Sequence, residues 1–259
     1  MTTYYKLLNE DGTTPQGYGI WHLPKRKSQP GRWMPAIKGA LVPCENGYHV
    51  LSLTDLLVWE GSVLFEVEIK GDVLRDSDKS VVRQARLVRR VEGWNTKNLR
   101  LFAADCAERV LPIFEKKNPN DDRPRKSTEA ARAFARGEIS ADELAFAWEA
   151  AWEAVWEAAW EAAWKAWAAR DAAWAGDAAW AGAAAGAGAR AAAWARAAAG
   201  ARAAACASAG GAGDALEAAR GASAWAARGA AAWGARGAQE AEKKWQLKRL
   251  NQYLNRKVK

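Results

Sequence analysis

The chain is poor in the side chains that most catalysis and metal binding draw on. Of its 259 residues, two are histidine, His22 and His49, and three are cysteine, Cys44, Cys106 and Cys206. Three scattered thiols make no disulfide framework and fit a reducing compartment. Structural zinc takes four ligands and catalytic zinc three, so Cys44 with His49 falls short and no metal is expected. Long apolar runs are missing too. No uncharged stretch reaches the roughly 18 residues that cross a bilayer, and mean hydropathy is negative. Residues 1–12, MTTYYKLLNEDG, have neither the basic start nor the apolar core of a signal peptide. Gly17-Tyr18-Gly19 lacks the remaining glycines and the strand–helix setting of a dinucleotide-binding turn. The expectation is a cytoplasmic protein with no membrane span, no catalytic motif and no resident cofactor.

What the chain has in excess is tryptophan. Twelve of its sixteen tryptophans lie from Trp148 onward, and Trp148, Trp152, Trp156, Trp160 and Trp164 recur every fourth residue. Ala, Glu and Lys fill the gaps, and neither Pro nor Gly interrupts from Leu144 to Ala175, so the stretch predicts a helix. Its start is written in: Ser140 and Glu143 form a capping box, with Ile139 and Leu144 placed as the hydrophobic staple. At about 100° per residue a four-residue step drifts by some 40°, so the indoles sweep around one side of the helix. A contiguous apolar face of that size, if exposed, marks a contact surface. A buried core is the commoner use of such a stripe, and WEAA is also a near-perfect short repeat.

Residues 1–117 have the mixed composition of a globular α+β domain. Strands are expected at Tyr4–Leu8, Tyr18–Leu23, Tyr48–Leu51, Val63–Ile69 and Val81–Val88, the fourth with Val63, Phe65, Val67 and Ile69 on one face. Ser52 and Asp55 cap a brief helix, and turns are expected at Gly71-Asp72 and at residues 76–78. A longer helix runs from about Thr96 to Glu115, loosened near Pro112. Residues 118–125, NPNDDRPR, read as a linker whose Pro124 suits the first turn of a helix ending at Gly137. Residues 126–238 then form an Ala/Trp-rich helical array, punctuated by glycines, and residues 239–259 a basic amphipathic helix. The net charge of +8 sits mostly in that tail, where 7 basic residues face 2 acidic ones.

Two stretches resemble known families. The run from Tyr5-Lys6 through Cys44-Glu45-Asn46-Gly47-Tyr48-His49 and Phe65-Glu66-Val67-Glu68-Ile69-Lys70-Gly71 to Asp78-Lys79 and a basic strand resembles an uncharacterised domain widespread in tailed phages and bacteria. The likeness covers roughly residues 4–95. The Ala/Trp/Arg repeats from about Thr128 to Gly237 resemble the Ala-rich helical domain of proteins carrying an immunity-protein label, which implies binding to a partner protein. The order of strand, GYHV strand, short helix and EVEIKG strand is also similar to small ADP-ribosyltransferase folds, which hold NAD between two sheets. His49 and Glu66 are the nearest chemical equivalents of that family's site residues; the other positions of its pattern have no clear place here.

These readings set the expectation. The fold is α+β, with a small, mostly antiparallel sheet followed by an all-α array. The function is a non-enzymatic interaction protein, phage- or prophage-encoded, binding and inhibiting a bacterial protein in the host cytoplasm. Trp148, Trp152, Trp156, Trp160 and Trp164 are its candidate contacts, with Arg32, Trp33, Tyr48, His49 and Glu66 in the N-terminal domain. The alternative is an NAD- or nucleotide-binding N-terminal domain with the array as a recognition arm. Self-association is a further expectation for the Trp row. Nucleic-acid binding by the loop around Arg32 and the basic tail is the least favoured class, because solvated charge explains both.

Overall fold

The computed structural model describes residues 2–17, 19–26, 29–57, 59, 61–151, 153–154, 157 and 236–255. Four strands occupy the first part: β1 (Tyr4–Leu8), β2 (Tyr48–Val50), β3 (Val63–Arg75) and β4 (Ser80–Arg90). Four α-helices are described: α1 (Thr96–Glu115), α2 (Arg123–Arg136), α3 (residues 141–151, with 153, 154 and 157 also helical) and α4 (Arg236–Leu254). The chain is thus α+β. The helical array expected over 126–238 is described only as far as residue 157 and again from 236. Trp152, Trp156, Trp160 and Trp164 lie outside the described residues.

The chain divides into two compact units, Met1–Asn98 with Leu247–Lys259, and Leu99–Gln246. In the first, the sheet order is β1-β3-β4-β2, every pair antiparallel. The sheet curls until its ends meet: Tyr5 N–H donates to Leu51 O at 2.7 Å and Leu51 N–H returns to Tyr5 O at 2.8 Å. Curling disposes of the edges that a flat four-stranded sheet would leave open. Leu8, Val50, Val63, Phe65, Val67, Val82, Ala85 and Leu87 fill the interior with Trp21. The alternation expected along Val63–Val67 is what places three of these side chains inside.

Two details differ from expectation. Residues 19–23 are not a strand; Thr14 N–H on Gly19 O and Trp21 N–H on Gly12 O, both at 2.9 Å, flank a single bridge between Thr13 and Ile20. Trp21 is held by its buried indole and not by a ladder. Gly71-Asp72 is not a turn either: β3 continues to Arg75, and its register to β4 shifts between Lys70 and Val73. A β-bulge absorbs the extra residues, and Gly71 at φ +79° supplies the left-handed backbone that it needs.

The local stop and start signals work as written. Ser52 N–H and Oγ both donate to Asp55, at 2.7 and 2.8 Å, over a single 3-10 turn at Asp55–Leu57. Asn95 caps α1 by accepting from Asn98 N–H at 2.9 Å. Pro124 sits in the first turn of α2, and Gly137 closes it at φ +79°, its N–H reaching Phe134 O at 2.9 Å. Helix α1 runs through Pro112 and ends one turn later.

In the second unit α1, α2 and α3 share a core of Ala104, Ala131 and Leu144, with Phe134 and Ile139 against it. Such small residues let helix axes approach closely. Ion pairs bind α1 to α2: Arg132 meets Asp105 at 2.5 Å and also Glu108, and Arg125 meets Glu115 at 2.6 Å. Arg109 of α1 pairs with Glu242 of α4 at 3.2 Å, and its guanidinium lies 4.8 Å from the Trp245 ring centre.

Candidate functional site

The N-terminal candidates fall into three separate settings. Arg32 and Trp33 belong to a segment that lies along β4: Gly31, Met34 and Ile37 N–H groups donate to Leu87, Ala85 and Arg83 carbonyls at 2.8, 2.9 and 3.0 Å. Gly31 is required there, because a Cβ would fall 2.2 Å from His22 O. Arg32 is exposed. Trp33 is half-buried with two cations over its ring, Lys70 Nζ at 4.2 Å and Arg86 Cζ at 4.7 Å from the ring centre. Arg86 is in turn paired with Glu68 at 2.6 Å. The indole face is therefore already occupied by its own chain.

Tyr48 joins the same segment by donating its hydroxyl to Pro35 O at 2.8 Å, and its ring meets Trp21 edge-on at 5.7 Å. Burial pushes its phenol above the usual value. His49, its neighbour on β2, accepts at Nε2 from Cys44 N–H at 3.0 Å. That bond fixes a turn in which Cys44 itself adopts φ +64°. Burial depresses the imidazole's pKa, and Lys6 and Lys79 depress it further, against a smaller opposing effect of Asp76 and Asp78. His49 is thus held neutral as a structural acceptor.

Glu66 stands on β3, with β4 between it and β2 on one side of the ring and β1 on the other. Arg89 grips both of its oxygens. His49 and Glu66 are each committed to a different partner. Among the described residues no group of three His, Cys, Asp or Glu side chains gathers as a metal site, and no helix is long and apolar enough to cross a membrane.

Among the helical candidates Trp148 is the one described, and it lies on α3. Its capping box closes as the spacing predicts: Ser140 N–H donates to Glu143 Oε2 at 2.7 Å and Glu143 N–H to Ser140 Oγ at 3.2 Å. The carboxyl of Glu143 is held below its usual pKa by those bonds to Ser140. Ile139 and Leu144 meet in the shared core as a staple. Leu144, Ala151 and Ala154 are buried, and Trp148 is half-buried on the same side. The opposite side is acidic and exposed, with Phe146 among the acids at 75% exposure. Phe146 stands outside the tryptophan spacing. The signal was present in the spacing of Asp142, Phe146, Glu149 and Glu153, which puts all four opposite Leu144 and Ala151.

Residues 90–176 match the model of a family described as "Imm-5 like putative immunity protein". The matched stretch takes in α1, α2 and the described part of α3. No curated protein and no solved structure matches the chain.

Proposed function

We propose that this protein is a non-enzymatic interaction protein of the immunity kind. It is encoded by a phage or prophage, and it binds a bacterial protein in the host cytoplasm and holds it inactive. The observation that carries this reading is the family match over residues 90–176, which coincides with the capped and ion-paired helices α1 to α3. The N-terminal sheet supports it from the other side. Its interior is filled by side chains, and the two groups nearest to a catalytic pair, His49 and Glu66, are spent on Cys44 and Arg89. The row from Trp148 to Trp164 is the proposed anchor set, since Trp dominates interface energetics. Exposed Arg32 is the secondary contact; Trp33 and Tyr48 are engaged within their own chain.

The test is to capture partners from bacterial extracts on the immobilised full chain, then purify the captured protein and titrate its activity. The expected result is a defined complex in which that activity falls in proportion to added chain. Two results would overturn the reading. One is release of nicotinamide from NAD by the chain alone. The other is capture of nucleic acid only, lost steeply as salt rises.

A further inference from the structure

Seven acidic residues and no basic one lie between Arg136 and Lys165, in a chain whose net charge is +8. Within α3, Asp142, Phe146, Glu149, Glu153 and Glu157 follow one another at i, i+4, i+7, i+11 and i+15. At about 100° per residue this confines them to a band roughly 80° wide. All five are exposed. Phe146, at 75%, is the most exposed large apolar side chain among the described residues. The far side of the helix is already used, by Leu144, Ala151 and Ala154. Packing among the described residues therefore does not call for this face.

Two ordinary explanations fall short. Acids favour a helix N-terminus, but that effect fades within the first turn and leaves Glu149 and Glu153 unaccounted for. A merely solubilising face would have no use for a bare phenylalanine at its centre. The arrangement also has a cost, because Glu149, Glu153 and Glu157 repel at successive i, i+4 spacings, by roughly a few tenths of a kcal/mol each. Glu157 is relieved by Arg123 at 2.5 Å. Among the described residues no cation pairs with Asp142, Glu149 or Glu153. A cationic partner would relieve them and cover the phenylalanine at once.

We propose that this face of α3 is the docking surface for a basic, amphipathic segment of the partner protein. Phe146 enters an apolar pocket on that segment, and Asp142, Glu149 and Glu153 meet its lysines or arginines. The inference rests on the partner-binding reading above and names the surface and the charge of what it takes. Arginine suits it best, since its planar fork meets a carboxylate with two parallel hydrogen bonds.

The probe is a display library of random 16-residue peptides, panned against the full chain and against its Phe146→Ala and Glu149→Lys/Glu153→Lys variants. All three side chains are exposed, so the variants should keep the wild-type melting profile, which is checked by circular dichroism. Peptides selected on the wild type should be rich in Lys or Arg with one or two large apolar residues. They should bind the Phe146 variant about tenfold more weakly and the double charge reversal hardly at all. Neutral or acidic selectants, selectants indifferent to the substitutions, or an empty selection would overturn the proposal. The natural partner separates the two ideas. If wild type and charge-reversed chain capture it equally, this surface is wrong and the immunity-type reading stands. If peptides behave as expected and no bacterial protein is captured, the reading fails and the surface stands.

Discussion

Lys6 has the least comfortable setting of any cation described. It shares a strand face with Tyr4 and Leu8, and Leu8 belongs to the sheet interior. Its amine lies 5.2 Å from the Trp21 ring centre. Burial lowers its pKa from 10.5 to about 8. Below pH 8 the folded chain carries a costly charge. Between about 8 and 10.5 the unfolded chain holds a proton that the folded one has lost, so stability rises with pH across that window. Lys6→Met should remove the rise and stabilise the protein at pH 7 by about 1–2 kcal/mol, discounted because the amine keeps some solvent. Urea melts at pH 7 and pH 10 read both effects, and a variant that is less stable at pH 7 would contradict them. His49 acts at the acid end. Its depressed pKa means that it contributes stability above the usual 6.5, which is lost as pH falls through the folded value. His49→Gln should flatten the acid limb of the stability profile, and an unchanged limb would show that other groups set it. Neither role was legible in the sequence. A lysine or histidine in a strand shows its spacing but not how the sheet curls, and it is the curl that turns Lys6 inward.

Helices and their ends were the most legible elements, because their signals are local. Ser140 with Glu143 and Ser52 with Asp55 each act within four residues and close as spacing predicts, and Pro124 and Gly137 each act on their own end of α2. Ser140→Ala should cost about 1 kcal/mol, since Glu143 N–H loses its acceptor and the carboxylate a donor. A melting curve superimposable on the wild type would mean that α3 is held by its packed face alone. Strands were read less well. The expected strand at 18–23 and the expected turn at Gly71-Asp72 both failed for one reason: strand identity depends on a partner far along the chain. Trp21 found a core to enter in place of a ladder, and β3 found in β4 a partner that carries it past the glycine. The residues flanking Asp55 predicted its cap, but nothing local predicted Arg75, which grips the same buried carboxylate from twenty residues away at 2.6 and 2.7 Å.

At the scale of the whole molecule, the proposed function puts binding on the helices and a supporting part on the curled sheet. Composition singles out the tryptophan row because a stretch so rich in one large side chain has to meet something. Which side of that helix is free is a different matter, fixed by Leu144, Ala151 and Ala154 going inward. The acidic face with Phe146 became visible only once that inward side was known. The most direct test is hydrogen–deuterium exchange on the full chain, alone and saturated with its captured bacterial partner. The account predicts that slowed exchange concentrates in residues 96–157, strongest along α3, while β1 to β4 exchange as before. Protection centred on residues 4–90, with α3 unchanged, would contradict it.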